Sequence, residues 1–369
     1  MDGTALVFCE GAFGTPRGKT ANTLVRLGER YEVVGVIDSQ HCGLRAGAVV
    51  EGVASDVPVF ESVRQAIDRL GNQPDYFVVG LDPDDGRLEP RFRKSIAEAL
   101  RLGMHVDSAL RPYLHDDAEF PGIAMLSGAR MRSVGRPMAG GSNTQYTGQV
   151  EELRVFRVAV VGTNAVGGKI ITAVRLMQSF RRAGVRAELI GTSQLAWFQG
   201  IAHTTILDSV PQGYVAGELE ATMLAACATA SPDVLVLEGR GGLLDPAHPC
   251  DLELLTTARP DAVVLQHAPA HESISAEDTF GLAVLSRHMR VLEAVTQRPV
   301  VAVSLSHAGK DAQTCRDAAT LFRGTLGCLV TDIVSDGPEP LAATLLGLLV
   351  SGTFSGAQCA QAGGREPIA

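Results

Sequence analysis

Residues Gly162, Thr163, Asn164, Ala165, Val166, Gly167 and Gly168 form a glycine-framed turn closed by Lys169, with five residues between the outer glycines. An apolar run, RVAVVG, precedes it and an apolar-periodic run follows. The turn is therefore expected between a strand and a helix. Glycines there let successive backbone N–H groups converge on one anion, and the helix start adds the positive end of its dipole. Lys169 would bring a mobile cation to terminal phosphates. The competing reading is a plain tight turn with an exposed lysine. A phosphate loop of the ATPase kind follows its lysine with a Ser or Thr that holds Mg²⁺. Ile170 and Ile171 have no oxygen to offer, and Thr172 lies nearly a turn further along. Magnesium–ATP chemistry is thereby disfavoured. A cofactor whose phosphates do not react, such as coenzyme A, needs no such hydroxyl.

Downstream, DVLVLEGRGGLLDPAHP reads as a strand ending at Glu238, with Arg240 in a glycine-rich turn. Glu238 is placed to face the phosphates or a reacting proton. Arg240 has the planar fork that suits a carboxylate or phosphate. His267 ends the strand DAVVLQH and is the first choice among His203, His248, His267 and His271 for a general base. No pair of histidines shows a zinc spacing, and no metal is expected. A weaker echo opens the chain: EGAFGTPRGKTANTLVR, in which Glu10 precedes the turn and Lys19 closes it. It fits neither phosphate-loop spacing nor GxGxxG. Asp38, at the end of YEVVGVIDS, stands where a dinucleotide fold would hold a ribose. An anion site, a substrate-carboxylate site and a purely structural turn all remain open there.

Short apolar strands alternate with helices along the chain: ALVFC, YEVVGVIDS, ASDVPVF, DYFVVGLD and MHVDSAL first, then RVAVVG, AELIG, DVLVLEG, DAVVLQ, PVVAVSL and CLVTDIV. The alternation implies α/β architecture with two doubly wound parallel-sheet domains, and 369 residues suit two cores. The boundaries read as a first domain over 1–136, a polar linker over 137–151, a second domain over 152–350 and a mobile tail over 351–369. A net charge of -9 argues against a nucleic-acid surface. The seven cysteines are scattered and form no CxxC pair, as in reduced cytoplasmic proteins. No apolar run reaches the length needed to span a bilayer. A cytoplasmic homo-oligomer acting on a small molecule is expected.

Across nearly its whole length the sequence resembles the DUF1611 family, a Rossmann-like domain followed by a P-loop NTPase-like domain. The matching stretches are EGAFGTPRGKTANTLVR, YEVVGVIDS, FVVGLDP, VVGTNAVGGKIITA, LDSVPQGYVAGELE, LVLEGRGGLLDPAHP and AVVLQHAP. The five-residue loop is more distantly similar to that of dethiobiotin synthetase. The family includes a D-glutamate N-acetyltransferase that uses acetyl-CoA. The resemblance thus implies transfer of an acyl group from acetyl-CoA or another acyl-CoA to a small, D-glutamate-like amino acid. It marks Gly162, Thr163, Gly168 and Lys169, then Asp208, Gly217, Glu220, Glu238, Gly239, Gly241, Pro246 and His267. Departures occur at Arg240, Gly242 and Asp245, where the family usually reads EGQGSLSHP. Others are Gly213 in place of an Asp, Ser133-Val-Gly135-Arg136-Pro137 for D-V-R-x-P, and Ile171 in place of a Thr. Two alternatives stand beside acyl transfer. One is an ATP- and Mg²⁺-dependent kinase or ligase acting on a small carboxylate; the other is a non-catalytic protein that binds a phosphorylated ligand.

Overall fold

The computed structural model describes residues 1–50, 52–83, 85–137, 144–165, 168–245, 250–269, 279–306 and 312–352. The chain divides into two compact units. The first holds a six-stranded sheet built from β1 (Gly3–Phe8), β2 (Tyr31–Ile37), β3 (Val59–Phe60), β4 (Tyr76–Val79), β5 (His105–Ser108) and β6 (Met131–Ser133). The second holds seven strands: β7 (Phe156–Gly162), β8 (Ala187–Gly191), β9 (His203–Thr204), β10 (Val234–Gly242), β11 (Ala262–His267), β12 (Val300–Leu305) and β13 (Leu329–Asp332). The strand orders are β3-β2-β1-β4-β5-β6 and β13-β12-β11-β7-β10-β8-β9, and the strand pairs are parallel. This is the α/β architecture with two wound parallel sheets read from the sequence.

The order in the first sheet reverses between β1 and β4, which puts a crevice at their carboxyl ends. In the second unit β7 is central and buried along its whole length. Ala159 and Val161 on β7 pack with Leu235, Leu237, Val263 and Leu265 of its neighbours. Parallel strands covered on both faces need such continuous apolar runs, which is why they stand out in the sequence.

Two boundaries differ from those expected. Gln194–Ile201 belongs to the first unit, although it follows β8 of the second. Its helix, Gln194–Gln199, buries Ala196 and Phe198. The guanidinium of Arg30 lies 4.0 Å from the centre of the Trp197 ring and that of Arg132 lies 5.0 Å from it. Arg30 Nε also donates to the Trp197 carbonyl at 2.7 Å. A six-residue helix has little stability of its own; these contacts decide where it docks. The second difference concerns the linker. Its residues 138–143 lie outside the described residues, but Val150 is fully buried and part of the second core. The last helix runs Glu339–Ser351, and 353–369 are outside the described residues.

Candidate functional site

The turn after β7 leads into the helix Lys169–Arg182, 14 residues long, with Gly168 as its N-cap. A glycine cap has no side chain to satisfy the first-turn amides, so an anion is the natural partner for them. Both described framing glycines are crowded, Gly162 by backbone and Gly168 by side-chain ends. A Cβ at Gly162 would stand 2.9 Å from the Asn164 carbonyl and from Lys169 Nζ. One at Gly168 would stand 2.9 Å from Gln266 Nε2 and Ser306 Oγ. Lys169 is only 4% exposed, not the solvent-facing lysine of a plain turn. Its Nζ donates to the Asn164 carbonyl at 2.6 Å. Asn164 and Ala165 are half-buried, while Val166 and Gly167 fall outside the described residues.

Beyond the lysine, Ile170 and Ile171 are buried. Thr172 is completely buried as well; its hydroxyl donates to Gln266 Oε1 at 2.6 Å and sits 3.3 Å from Ser304 Oγ. The first oxygen after the lysine is thus committed to the sheet.

Glu238 lies on β10 beside β7 and is 2% exposed. Its carboxylate accepts from Thr192 N at 2.9 Å, Ser193 N at 3.3 Å and Ser193 Oγ at 2.7 Å. Burial pushes its pKa above the ordinary glutamate value, against the pull of these donors and of the Lys169 charge. The glycines around it serve close approach. A Cβ at Gly239 would come 2.9 Å from the Val160 carbonyl, and one at Gly242 only 2.3 Å from that of Thr163. The EGRGG segment is glycine-rich because it packs backbone to backbone on the phosphate loop.

Arg240 forms an ion pair with Asp208, which is 54% exposed. The backbone N–H of Arg240 donates to Asp251 Oδ1 at 2.9 Å. Asp251 was not among the candidates read from the sequence; it stands at the N-cap of the helix Leu252–Ala258 without a side-chain cap bond. It is 2% exposed with a left-handed φ of 79°. Its Oδ2 is buried with no hydrogen-bond partner among the described residues. A buried carboxylate oxygen without a donor is costly, and functional sites are where such a cost persists.

Two expectations are revised. His267 is fully buried, and its Nε2 lies 2.8 Å from the Phe280 carbonyl, to which it must donate. Its Nδ1 therefore accepts from Thr163 Oγ1 at 3.2 Å. With both ring nitrogens engaged, His267 positions Thr163 and is not poised as a base. Asp38 is fully buried too, accepting from Gly11 N at 3.0 Å, Gln40 N at 3.1 Å and His41 Nδ1 at 2.8 Å. It staples the N-terminal turn instead of facing a ribose. Glu10 is held by Ser39 N at 2.9 Å and by the Ser39 hydroxyl. Lys19 is paired with Asp82. Of the other histidines, His203 lies on β9 near Thr229, while His248 and His271 fall outside the described residues.

The DUF1611 C-terminal P-loop domain, a domain of unknown function, matches residues 144–342, and the DUF1611 N-terminal Rossmann-like domain matches 39–137. The chain belongs to the DUF1611 family. A DUF1611 protein from Anabaena variabilis has the same fold at TM-score 0.80, with 24% identity over 94% of this chain and 99% of that one. Two relatives bear the name D-glutamate N-acetyltransferase. That of Pseudoalteromonas sp. is 24% identical over 73% of this chain and 80% of its own. That of Tritonibacter scottomollicae is 24% identical over 63% and 70%. Two residues singled out by the DUF1611 resemblance act structurally. Glu220 accepts from Thr147 N at 2.6 Å and Val150 N at 3.0 Å. At Gly217 a Cβ would stand 2.0 Å from the Thr144 carbonyl. Together they seat residues 144–150 on the helix Val215–Ala230. Gly241, another DUF1611 position, donates its N–H to Asp251 Oδ1 at 3.4 Å, and Pro246 lies outside the described residues.

Proposed function

We propose that the protein is an acyl-CoA-dependent N-acyltransferase whose acceptor is a small acidic amino acid of the glutamate type. The observation that carries this reading is the first turn of the helix Lys169–Arg182. A glycine cap and a lysine are followed by two buried isoleucines and a threonine whose hydroxyl is held by Gln266. Such a turn suits a ligand gripped by its phosphates better than one whose phosphate reacts at a hydroxyl-bound metal. The names of the two relatives point the same way.

The residues present fit the phosphates of coenzyme A. Gly162 and Gly168 bring no side chain to the two ends of the loop, and Lys169 supplies the cation. Acyl-CoA, when bound, supplies a thioester carbonyl open to attack by an amine. Arg240 has donors beyond the one on Asp208, and its fork orients the acceptor carboxylate. Glu238 would take the proton that the acceptor nitrogen loses as the C–N bond forms, while the thioester C–S bond breaks and the departing thiolate of CoA takes up a proton. A general base works best with a pKa near the working pH, and burial moves Glu238 in that direction.

Thermal-shift profiles with acetyl-CoA, CoA, ATP and ATP plus Mg²⁺ test the reading, because a ligand that binds the folded state raises its melting temperature. Acetyl-CoA and CoA should stabilise the protein without Mg²⁺, and Lys169→Ala should abolish that shift. Stabilisation that requires ATP and Mg²⁺ together would favour the kinase or ligase. No shift with any of them at millimolar concentration would leave neither chemistry standing.

A further inference from the structure

The carboxyl ends of β1, β4 and β5 in the first unit border a small cleft of about 40 Å³. It lies where the strand order reverses, the place at which open α/β sheets bind ligands. Three guanidinium groups line it, those of Arg17, Arg87 and Arg91, together with the carboxylates of Glu10 and Glu89. Arg91 Nε donates to Glu89 at 2.7 Å, and its guanidinium lies 4.6 Å from the centre of the Phe92 ring, which fixes its plane. Arg87 is different. Only its backbone N–H is engaged, on Asp85 at 3.0 Å, and among the described residues its guanidinium has no partner. Glu10 is held in one orientation by Ser39. Phe92 and Leu110, both buried, supply the apolar wall.

A dinucleotide does not suit this cleft. The N–H groups of the adjoining turn are already taken: Gly11 by Asp38, Ala12 by the Cys9 carbonyl, Gly14 by Asn22, and Thr15 and Gly18 by carbonyls of the turn itself. Two carboxylates on the wall would also repel a polyphosphate. A guanidinium fork matches a carboxylate, and a glutamate held in place on the same lining matches an ammonium. We propose that the cleft binds a small amino-carboxylate. Its carboxylate would meet Arg87 and Arg91, its amine Glu10, and its carbon skeleton Phe92 and Leu110. This inference does not rest on acyl transfer or on the phosphate loop.

Titration calorimetry of the full chain tests it, with both enantiomers of glutamate and aspartate, alanine and γ-aminobutyrate as ligands. Succinate, glutarate and inorganic phosphate serve as amine-free counterparts. Measurements on Arg240→Ala and Lys169→Ala separate this site from the one in the second unit. At least one amino-carboxylate should bind with unchanged affinity in both of those variants. Arg87→Ala should weaken that binding about tenfold or more, as expected for loss of a charged hydrogen bond. Arg87 is exposed, so the variant should melt like the parent, which the same preparation can check. Glu10→Gln should weaken the amino-carboxylate while sparing its amine-free counterpart. The inference is overturned if no ligand in the panel binds at millimolar concentration. It fails equally if binding disappears in Arg240→Ala but survives Arg87→Ala, or if phosphate binds as tightly as the amino acids.

Discussion

Each unit carries a glycine turn closed by a lysine after its first strand, and in each the lysine begins a helix. They differ in which groups answer the backbone. In the first turn the chain answers itself: Asp38 takes Gly11 N, Asn22 takes Gly14 N, and Lys19 is paired with Asp82. Both helices have a bare glycine cap, Gly18 and Gly168, but in the second turn the lysine rests on the carbonyl of Asn164 inside the loop. A turn whose amides are satisfied by neighbouring side chains is scaffolding. A turn that keeps its lysine in the loop at a helix start invites an anion. Similar letters therefore perform unlike tasks, and the difference lies in the residues that surround each turn.

The sharpest way to break this contrast is Glu238→Gln, which keeps the side chain's shape and removes its base. Under the proposed function, turnover should fall by about 10²–10⁴, measured as amide formation from acyl-CoA. Stability should respond oppositely. Burial raises the pKa of Glu238 from its ordinary 4.5, so the folded state prefers the protonated form. The stability owed to this group is complete below pH 4.5 and is lost as pH rises through the raised value. Denaturant melts should therefore show the variant gaining on the parent as pH rises from 4.5 towards neutrality. A constant gap across that range would remove the case for a raised pKa.

Next in size is Lys169→Ala, for which CoA affinity should fall roughly ten- to a hundredfold by calorimetry, the loss expected of a charge-assisted contact. Equal weakening by Lys19→Ala would erase the distinction between the turns. Glycine replacement separates them on stability. Gly242→Ala forces a Cβ to within 2.3 Å of the Thr163 backbone and should cost about 1–3 kcal/mol or more as overpacking. At Gly11 the nearest atom to a new Cβ is 3.5 Å away, and only the left-handed φ of 69° objects; Gly11→Ala should cost about 1–2 kcal/mol. Chemical denaturation resolves the two. Smallest of all is Lys19→Ala, whose partly exposed ion pair should be worth less than about 1 kcal/mol in the same measurement.

The elements were legible to differing degrees, for physical reasons. Strands such as Ala262–His267 and Val300–Leu305 are covered on both faces and so appear as unbroken apolar runs. The helix Lys169–Arg182 begins where the glycine turn closes, as the apolar-periodic run after it implied. The helix Gln194–Gln199 was missed because it is short and is held by Arg30, 167 residues away. Asp251 escaped notice because a lone aspartate before an apolar run has an ordinary explanation. His267 and Asp38 were correctly placed at strand ends, but their burial and hydrogen-bond partners are invisible in a string of letters.

By itself, the sequence determined the two wound sheets, the glycine-framed loop and the missing hydroxyl after Lys169. These follow from periodicity, from backbone freedom and from side-chain chemistry, all local properties. The tertiary structure alone decided which strand-end acids and bases were already occupied, that Gln194–Ile201 joins the first unit, and that the Arg87 guanidinium lines a cleft with no partner among the described residues. Those outcomes depend on groups far apart in the chain meeting within hydrogen-bonding distance, and no local pattern encodes such a meeting.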